Sequence, residues 1–138
     1  MIVLDTNVLS ALMLEPPEEK VSNWLNRQPR TSIWLTSITV FEVHFGLEIM
    51  PAGKRRTALL HAFERLLAKL DHRVVPLDHD AAQLAAELMA RWRKLGRSRD
   101  LRAAMIAAIT SAHHAILATR NTAHFEDAGI TLIDPWKA

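Results

Sequence analysis

Short apolar runs separated by helical stretches are the feature that most limits what this sequence can fold into. Such runs, rich in aliphatic and β-branched side chains, are typical of buried strands. They lie at Met1–Leu4, Ser32–Thr36, Arg73–Leu77, Ala115–Thr119 and Ile130–Ile133. Strands that alternate with helices predict an α/β fold, with a mostly parallel sheet of about four to five short strands flanked by helices. Pro76 favours an edge position or a strand end for the third strand.

Helices are predicted between these strands from apolar spacing and from capping residues. We expect them directly after Asp5, from Pro16 to about Gln28, from Ser37 or Thr39 to about Met50, from Lys54 to Leu70, from Asp78 or Asp80 to near Gly96, and over Leu101–His114. Glycine and proline are few and scattered, so no linker is evident. A length of 138 residues then predicts one domain over residues 1–138.

The composition excludes several classes of protein. There is no cysteine, so a disulfide framework, a thiolate zinc site and a cysteine nucleophile are all excluded. No apolar run approaches the ~20 residues that a membrane span requires. The N-terminal stretch has an acid at Asp5 and lacks the basic start of a signal peptide. We therefore expect a soluble cytoplasmic protein with no membrane association.

The charge is distributed unevenly along the chain. The formal net charge is only +2, but residues 1–50 carry −3, residues 51–102 carry +6 and residues 103–138 carry −1. A basic block of this kind weakly favours a polyanionic partner. On charge alone, the solvated faces of surface helices explain it better.

Polar residues follow the predicted strands at the edge where parallel sheets bind ligands. The candidates for one convergent site are Asp5, Glu42, Asp100 and Asn121, supported by Thr6, Asn7 and Thr119. A carboxylate cluster of this kind suits Mg²⁺ or Mn²⁺, which prefer oxygen ligands. A bound ion of that type can activate water for phosphoryl displacement.

Each candidate also has a structural explanation. Asp5 could simply cap the following helix, and Asp100 is most simply the N-cap of the helix at Leu101. Glu42 lies in an apolar stretch and needs a partner, for which a salt bridge would serve as well as a metal. Asn121 is most simply a turn residue. The seven histidines form no spaced metal-binding pair on a helix face.

An ordered set of motifs spans nearly the whole chain. It comprises MIVLDTNVLSALM, SITVFEVHFGLEIMPAGKRR, GRSRDLRAAMIAAI, HHAILATRNTAHFEDAGI and the terminal DPW. With these motifs the sequence resembles the PIN-domain ribonucleases and, within them, the VapC and FitB toxins of toxin–antitoxin modules. The resemblance implies a three-layer PIN-like fold and a Mg²⁺- or Mn²⁺-dependent endoribonuclease that cleaves structured RNA, either transfer or ribosomal RNA.

The resemblance also assigns the site residue by residue. The family's first Asp corresponds to Asp5, its Glu to Glu42 and its fourth polar position to Asn121, while Thr119 supplies a hydroxyl at the same edge. The family's third acid corresponds to Ala103. Fewer anionic oxygens should weaken Mg²⁺ binding and activity, although Asp100 lies three residues earlier on the same helix face.

Two explanations of Ala103 stay open. One is an engineered Asp-to-Ala change that allows a toxic nuclease to be expressed, and the other is a naturally degenerate site. We favour the first because the rest of the site pattern is intact. An alternative function is a catalytically silent module that binds RNA or an antitoxin. A phosphoacceptor signalling domain is disfavoured because Asp5 has no paired acid and no lysine follows the late strand.

The resemblance gives the basic block a possible role and implies partners. Phosphates of RNA would be bound by Lys54, Arg55, Arg56, Arg91, Arg93, Lys94, Arg97, Arg99 and Arg102. VapC-like toxins form homodimers and are held inactive by a small VapB-like antitoxin, and the larger assembly contacts operator DNA only through the antitoxin. The helices at Pro16–Gln28 and Ile38–Met50 would form the groove for the antitoxin, although Trp24, Phe41 and Phe45 could equally be core residues.

Overall fold

The computed structural model describes all 138 residues, and strands alternate with helices along most of the chain. The strands are β1 (Ile2–Leu4), β2 (Ile33–Thr36), β3 (Val74–Val75), β4 (Ile116–Ala118) and β5 (Thr131–Ile133). The helices are α1 (Thr6–Leu12), α2 (Glu19–Asn26), α3 (Ser37–Ile49), α4 (Lys54–Lys69), α5 (His79–Lys94) and α6 (Leu101–Ala112). Short 3₁₀ turns occupy Arg30–Ser32 and Thr122–His124. None of the helices is long and apolar enough to cross a membrane.

The five strands form one parallel sheet in the order β3-β2-β1-β4-β5. The predicted α/β class and strand number are confirmed, and β3, with Pro76 directly after it, lies at an edge. The N-terminal strand β1 lies at the centre, where Val3 pairs with Trp34 on one side and with Leu117 on the other. Because all strands run the same way, their carboxyl ends meet at one edge of the sheet.

Alternate residues of the central strands face opposite layers, as the period of two requires. Leu4, Leu35 and Ala118 contribute to a core that is completed by α1, α2, α3 and α4. Val3 and Leu117 contribute to a second core that is completed by α5 and α6. The sheet is therefore covered on both faces, which explains why its strands read as continuous apolar runs.

Three aromatic residues, Trp24, Phe41 and Phe45, were predicted either to line a partner groove or to lie in the core, and the structure separates them. Trp24 is only 1% exposed and belongs to the core. Phe41 and Phe45 are 55% and 50% exposed, and their rings stack on α3 with centroids 5.9 Å apart. The core interpretation is therefore correct for Trp24 and wrong for the two phenylalanines.

Several predicted ends are wrong by one to three residues. Thr36, rather than Ser37 or Thr39, caps α3, because its hydroxyl accepts the Thr39 N–H at 3.1 Å. Helix α2 begins at Glu19 rather than at Pro16. Strand β3 covers only Val74–Val75 of the predicted Arg73–Leu77. Pro76 has no N–H for the ladder, and the Leu77 N–H donates instead to the Ser37 hydroxyl at 3.1 Å. Helix α6 ends at Ala112, before a residue in the left-handed region at position 114.

Asp127 fastens the segment after β4 to helix α5. One carboxylate oxygen, Oδ1, accepts the indole N–H of Trp92 at 2.9 Å, and the carboxylate pairs with the Arg97 guanidinium. The backbone oxygen of Asp127 accepts from Arg91 at 2.9 Å. The contact with Oδ1 gives the indole N–H of Trp92, a residue that is only 1% exposed, a hydrogen-bond partner inside the protein.

The two core tryptophans allow a matched test of that contact. Both are 1% exposed, but the indole N–H of Trp24 has no hydrogen-bond partner. We expect Trp92→Phe to lower the free energy of unfolding by about 1–2 kcal/mol more than Trp24→Phe, because only the former removes a hydrogen bond to a carboxylate. Urea denaturation of both variants measures the difference. Equal losses would mean that the bond to Asp127 adds nothing to stability.

Candidate functional site

A cleft of about 520 Å³ opens at the carboxyl edge of the sheet. It brings together residues that follow β1 and β4 and residues of α1, α3 and the first half of α6. Its lining consists of Asp5, Thr6, Asn7, Ser10, Glu42, Asp100, Arg102, Ala103, Ile106, Asn121, His124 and Phe125. The candidate residues that lie far apart in sequence therefore share one cleft, and Thr119 lies buried beside Asp5.

Asp5 lies at the centre of this arrangement, directly after β1, and is 8% exposed. Its Oδ1 accepts the Thr6 N–H at 2.8 Å, so it caps α1 as one of the two predicted roles requires. Its Oδ2 accepts the Thr119 hydroxyl at 2.8 Å and the Asn7 amide at 3.3 Å. Both carboxylate oxygens thus have fixed orientations.

Thr119 and Asn7 extend this network to the segment after β4. The Thr119 hydroxyl, which donates to Asp5, accepts the Asn121 N–H at 3.0 Å. The Asn7 side-chain oxygen accepts the Arg120 N–H at 3.2 Å. Asn121 is therefore held at the cleft by its backbone, and its side chain is free of intramolecular hydrogen bonds while it lines the cleft.

Glu42 is held by a row of threonine hydroxyls. Thr36 donates to Thr39 at 3.5 Å, the hydroxyls of Thr39 and Thr6 lie 3.1 Å apart, and Thr6 donates to Glu42 Oε1 at 3.0 Å. A hydroxyl has one proton, so Thr39 must donate to Thr6 if Thr6 donates to Glu42. The row is polarised toward the carboxylate, and its first two members are fully buried.

Burial shifts the pKa values of both carboxyls upward. Desolvation raises the pKa of Asp5, against the lowering effect of its hydrogen bonds from Thr119 and Thr6. Desolvation also raises the pKa of Glu42, and the nearby Asp5 carboxylate adds to that rise. For both carboxyls burial is the largest cause, so the charged form of each is disfavoured unless a cation lies nearby.

Asp100 faces the same cleft but is already paired. It caps α6 by accepting the Arg102 N–H at 2.8 Å, as the N-cap interpretation predicts. The Arg102 guanidinium donates to it from Nη2 at 3.0 Å and from Nε at 3.3 Å. These hydrogen bonds hold the pKa of Asp100 below its usual range.

The donor set suits a divalent cation only in part. Asp5 and Glu42 provide desolvated carboxylates, and the Asn121 amide lies in the same cleft. Ala103 lines the cleft with a methyl group where a third carboxylate would add charge. No group of three His, Cys, Asp or Glu side chains is arranged to hold a metal.

Two features of the cleft were missed in the sequence. His124, in the 3₁₀ turn after β4, lines the cleft, and its charge acts to lower the pKa of Asp5. Its position three residues after Asn121 is the only signal that could have identified it. The approach of Arg102 to Glu42, with Nη1 and Oε2 4.0 Å apart, joins two helices and has no signal in local sequence.

The predicted basic residues lie in separate regions. Of the nine, only Arg102 lines the cleft. Arg93, Arg97 and Arg99 line a different depression beside Trp92, where Arg99 stacks over the indole. Arg55 borders a groove with Met13 and Leu14, and Arg56 pairs with Glu48 at 3.5 Å. Their proposed role in binding RNA stays a prediction.

Comparison with known proteins identifies the family. The family described as PIN domain matches residues 2–130. The chain belongs to the PIN-domain family. Among curated PIN-domain relatives, "VapC ribonuclease Y4jK" of Sinorhizobium fredii is 44% identical over 138 residues, with 99% of each chain covered. "Toxin FitB" of Neisseria gonorrhoeae is 31% identical over 137 residues, again with 99% of each covered. The predicted resemblance to VapC and FitB is confirmed.

A solved structure supports the same PIN-domain assignment. The structure described as FitAB bound to an IR36 DNA fragment has a chain that superposes with a TM-score of 0.87 at 31% identity. The match covers 99% of this chain and 96% of that one. The predicted PIN-like architecture is therefore confirmed.

The raised pKa of Glu42 gives a test by pH. A carboxyl whose pKa is higher in the folded state binds more protons when folded, so the folded state loses stability as the pH rises above the group's ordinary pKa. Glu42→Gln removes this penalty. Relative to the parent, we expect the unfolding free energy of the variant to rise as the pH increases above the ordinary glutamate pKa of 4.5.

Denaturation at several pH values measures this gain, and Glu64→Gln is the matched control. Glu64 lies exposed on α4, so its replacement should leave the pH dependence of stability unchanged. A Glu42→Gln profile parallel to that of the parent would show that burial does not disfavour the Glu42 carboxylate.

Proposed function

We propose that this chain is the toxin of a type II toxin–antitoxin module, built as a metal-dependent endoribonuclease and weakened by Ala103. The observation that carries the proposal is the pair of desolvated carboxylates, Asp5 and Glu42, which face one open cleft. The curated relatives, described as a VapC ribonuclease and as toxin FitB, support the same activity. The proposed location is the cytoplasm, as a single domain over residues 1–138.

Each side chain of the cleft has a role that follows from its contacts. Asp5 and Glu42 would hold Mg²⁺ or Mn²⁺, with Asp100 and Asn121 as further oxygen donors. Such an ion supplies an activated water and stabilises charge in an in-line displacement at phosphorus. Thr119, Asn7 and Thr6 fix the two carboxylates by hydrogen bonds of 2.8 to 3.3 Å.

The proposed substrate is structured RNA, either transfer or ribosomal RNA. Recognition would rest on phosphate contacts by the nine basic residues. Arg102 lies in the cleft itself, and the other eight would act at a distance along the bound strand.

A second candidate function follows from Ala103. With a methyl group at the third acidic position and Asp100 paired to Arg102, the chain could bind RNA or an antitoxin without cleaving RNA. The discriminating property is metal affinity, because a silent module would still lack Mn²⁺ binding after a carboxylate is restored at position 103.

Restoring the third acid is the direct test. We expect Ala103→Asp to raise Mn²⁺-dependent cleavage of RNA by at least about tenfold and to arrest growth on expression, because a third carboxylate strengthens cation binding. Ala103→Asn is the matched control, since it adds similar volume without charge. Gel assays on transfer and ribosomal RNA measure the cleavage. Equal, low activity in the parent and both variants would reject the nuclease proposal.

We also propose that the chain forms a homodimer and binds a small VapB-like antitoxin, with operator DNA contacted only through the antitoxin. The solved relative described as FitAB bound to a DNA fragment supports such an assembly. On this chain, Phe41, Phe45 and Ile49 are 50–70% exposed along one face of α3. Exposed apolar residues at this spacing suit an amphipathic segment of a partner.

The partner proposal predicts that substitutions on the exposed face of α3, and not elsewhere on the surface, lower the affinity for the antitoxin. We expect Phe41→Ser combined with Phe45→Ser to weaken binding to the antitoxin encoded by the adjacent gene by at least about tenfold, because large apolar contacts dominate such interfaces. Leu95→Ser is the control, since Leu95 is also exposed, at 56%, but lies beyond α5. Calorimetry on the purified pair measures both, and equal affinities would exclude α3 as the docking face.

A further inference from the structure

Arg102 is the only lysine or arginine that lines the cleft, and it contacts carboxylates on two elements. Its Nη2 and Nε lie 3.0 Å and 3.3 Å from the two oxygens of Asp100 at the start of α6. Its Nη1 lies 4.0 Å from Glu42 Oε2 on α3. The guanidinium therefore lies between two of the three carboxylates that face the cleft.

The free oxygen of Glu42 is the one that faces Arg102. Glu42 Oε1 accepts the Thr6 hydroxyl at 3.0 Å, whereas Oε2 accepts no hydrogen bond and lies 4.0 Å from Arg102 Nη1. Both Asp100 oxygens already accept hydrogen bonds from the guanidinium. A divalent cation that binds Glu42 Oε2 or Asp100 must therefore approach a positive charge or displace it.

We propose that Arg102 is a tethered cation that competes with a divalent metal ion for Glu42 and Asp100. This inference rests on the proposed metal site, whose affinity for a divalent ion Arg102 would lower. The Arg102 side chain is 43% exposed, so it can swing into solvent without opening the core. Repulsion between the guanidinium and a bound ion a few ångströms away opposes metal binding even when Arg102 stays in place.

Calorimetric titration with Mn²⁺ tests the competition. In the Ala103→Asp background, we expect Arg102→Gln to tighten Mn²⁺ binding about fivefold, the size of one partly exposed charge interaction. Arg102→Lys keeps the charge and should bind Mn²⁺ as the Ala103→Asp protein does. Arg93→Gln removes one charge from a surface outside the cleft and should also leave the affinity unchanged. Equal affinities for Arg102→Gln and Arg93→Gln would overturn the proposal.

A second readout needs no substitution at position 103. In the otherwise unaltered chain, Arg102→Gln leaves Glu42 without its nearby cation, so we expect a lower melting temperature that Mn²⁺ partly restores. The parent should show no such stabilisation at the same Mn²⁺ concentration. Circular dichroism checks that the variant is folded.

The outcomes separate this inference from the proposed function. Tighter Mn²⁺ binding by Arg102→Gln without RNA cleavage by Ala103→Asp would reject the nuclease and support the competition. RNA cleavage by Ala103→Asp, together with an Mn²⁺ affinity that Arg102→Gln does not change, would support the nuclease and reject the competition. Failure of Mn²⁺ to bind or stabilise any Arg102→Gln protein would overturn the inference.

Discussion

The hydrogen bond between Thr119 and Asp5 joins residues 114 positions apart, at a distance of 2.8 Å. It links the carboxyl ends of the neighbouring strands β1 and β4. It also fixes the position of Asp5 Oδ2, the carboxylate oxygen on the β4 side. The other Asp5 oxygen caps α1, so one side chain sets both the start of a helix and the junction of two strands. The geometry of the cleft depends on this junction, because Asn7 and Asn121 hydrogen-bond to the same hydroxyl.

Burial and hydrogen bonding act in opposite directions on the acids of the cleft. Threonine hydroxyls orient Asp5 and Glu42, yet desolvation still raises the pKa of both. A nearby cation stabilises a buried carboxylate strongly, because folding has already removed the carboxylate from water and the cation then adds only attraction. Arg102 meets that need only for Glu42, and at a distance of 4.0 Å.

The general position of the cleft was predictable from the sequence, whereas its internal pairing was not. Apolar runs followed by polar residues locate strand ends, and parallel strands must bring Asp5 and Asn121 to one edge. The capping roles of Asp5 and Asp100 are also local and could be read directly. The contact of Arg102 with Glu42 depends on how α6 packs against α3. The position of His124 in the cleft depends on the path of the 3₁₀ turn after β4. Neither packing nor turn path is encoded in local spacing. The cap of α3 is local, but Thr36 is also the last residue of β2, so the apolar run assigned it to the strand.

The central position of β1 has a consequence for the order in which the protein can form. It precedes both of its partner strands along the chain, and these begin at residues 33 and 116. Pairing with β4 closes a loop of most of the chain, a step with a high entropic cost that slows folding. Asp5 therefore acquires its partner Thr119 only after the 114 positions that separate the two residues have been synthesised. A nascent or prematurely ended chain contains the acids of the cleft but not the cleft, so the complete site forms in the same step as the fold.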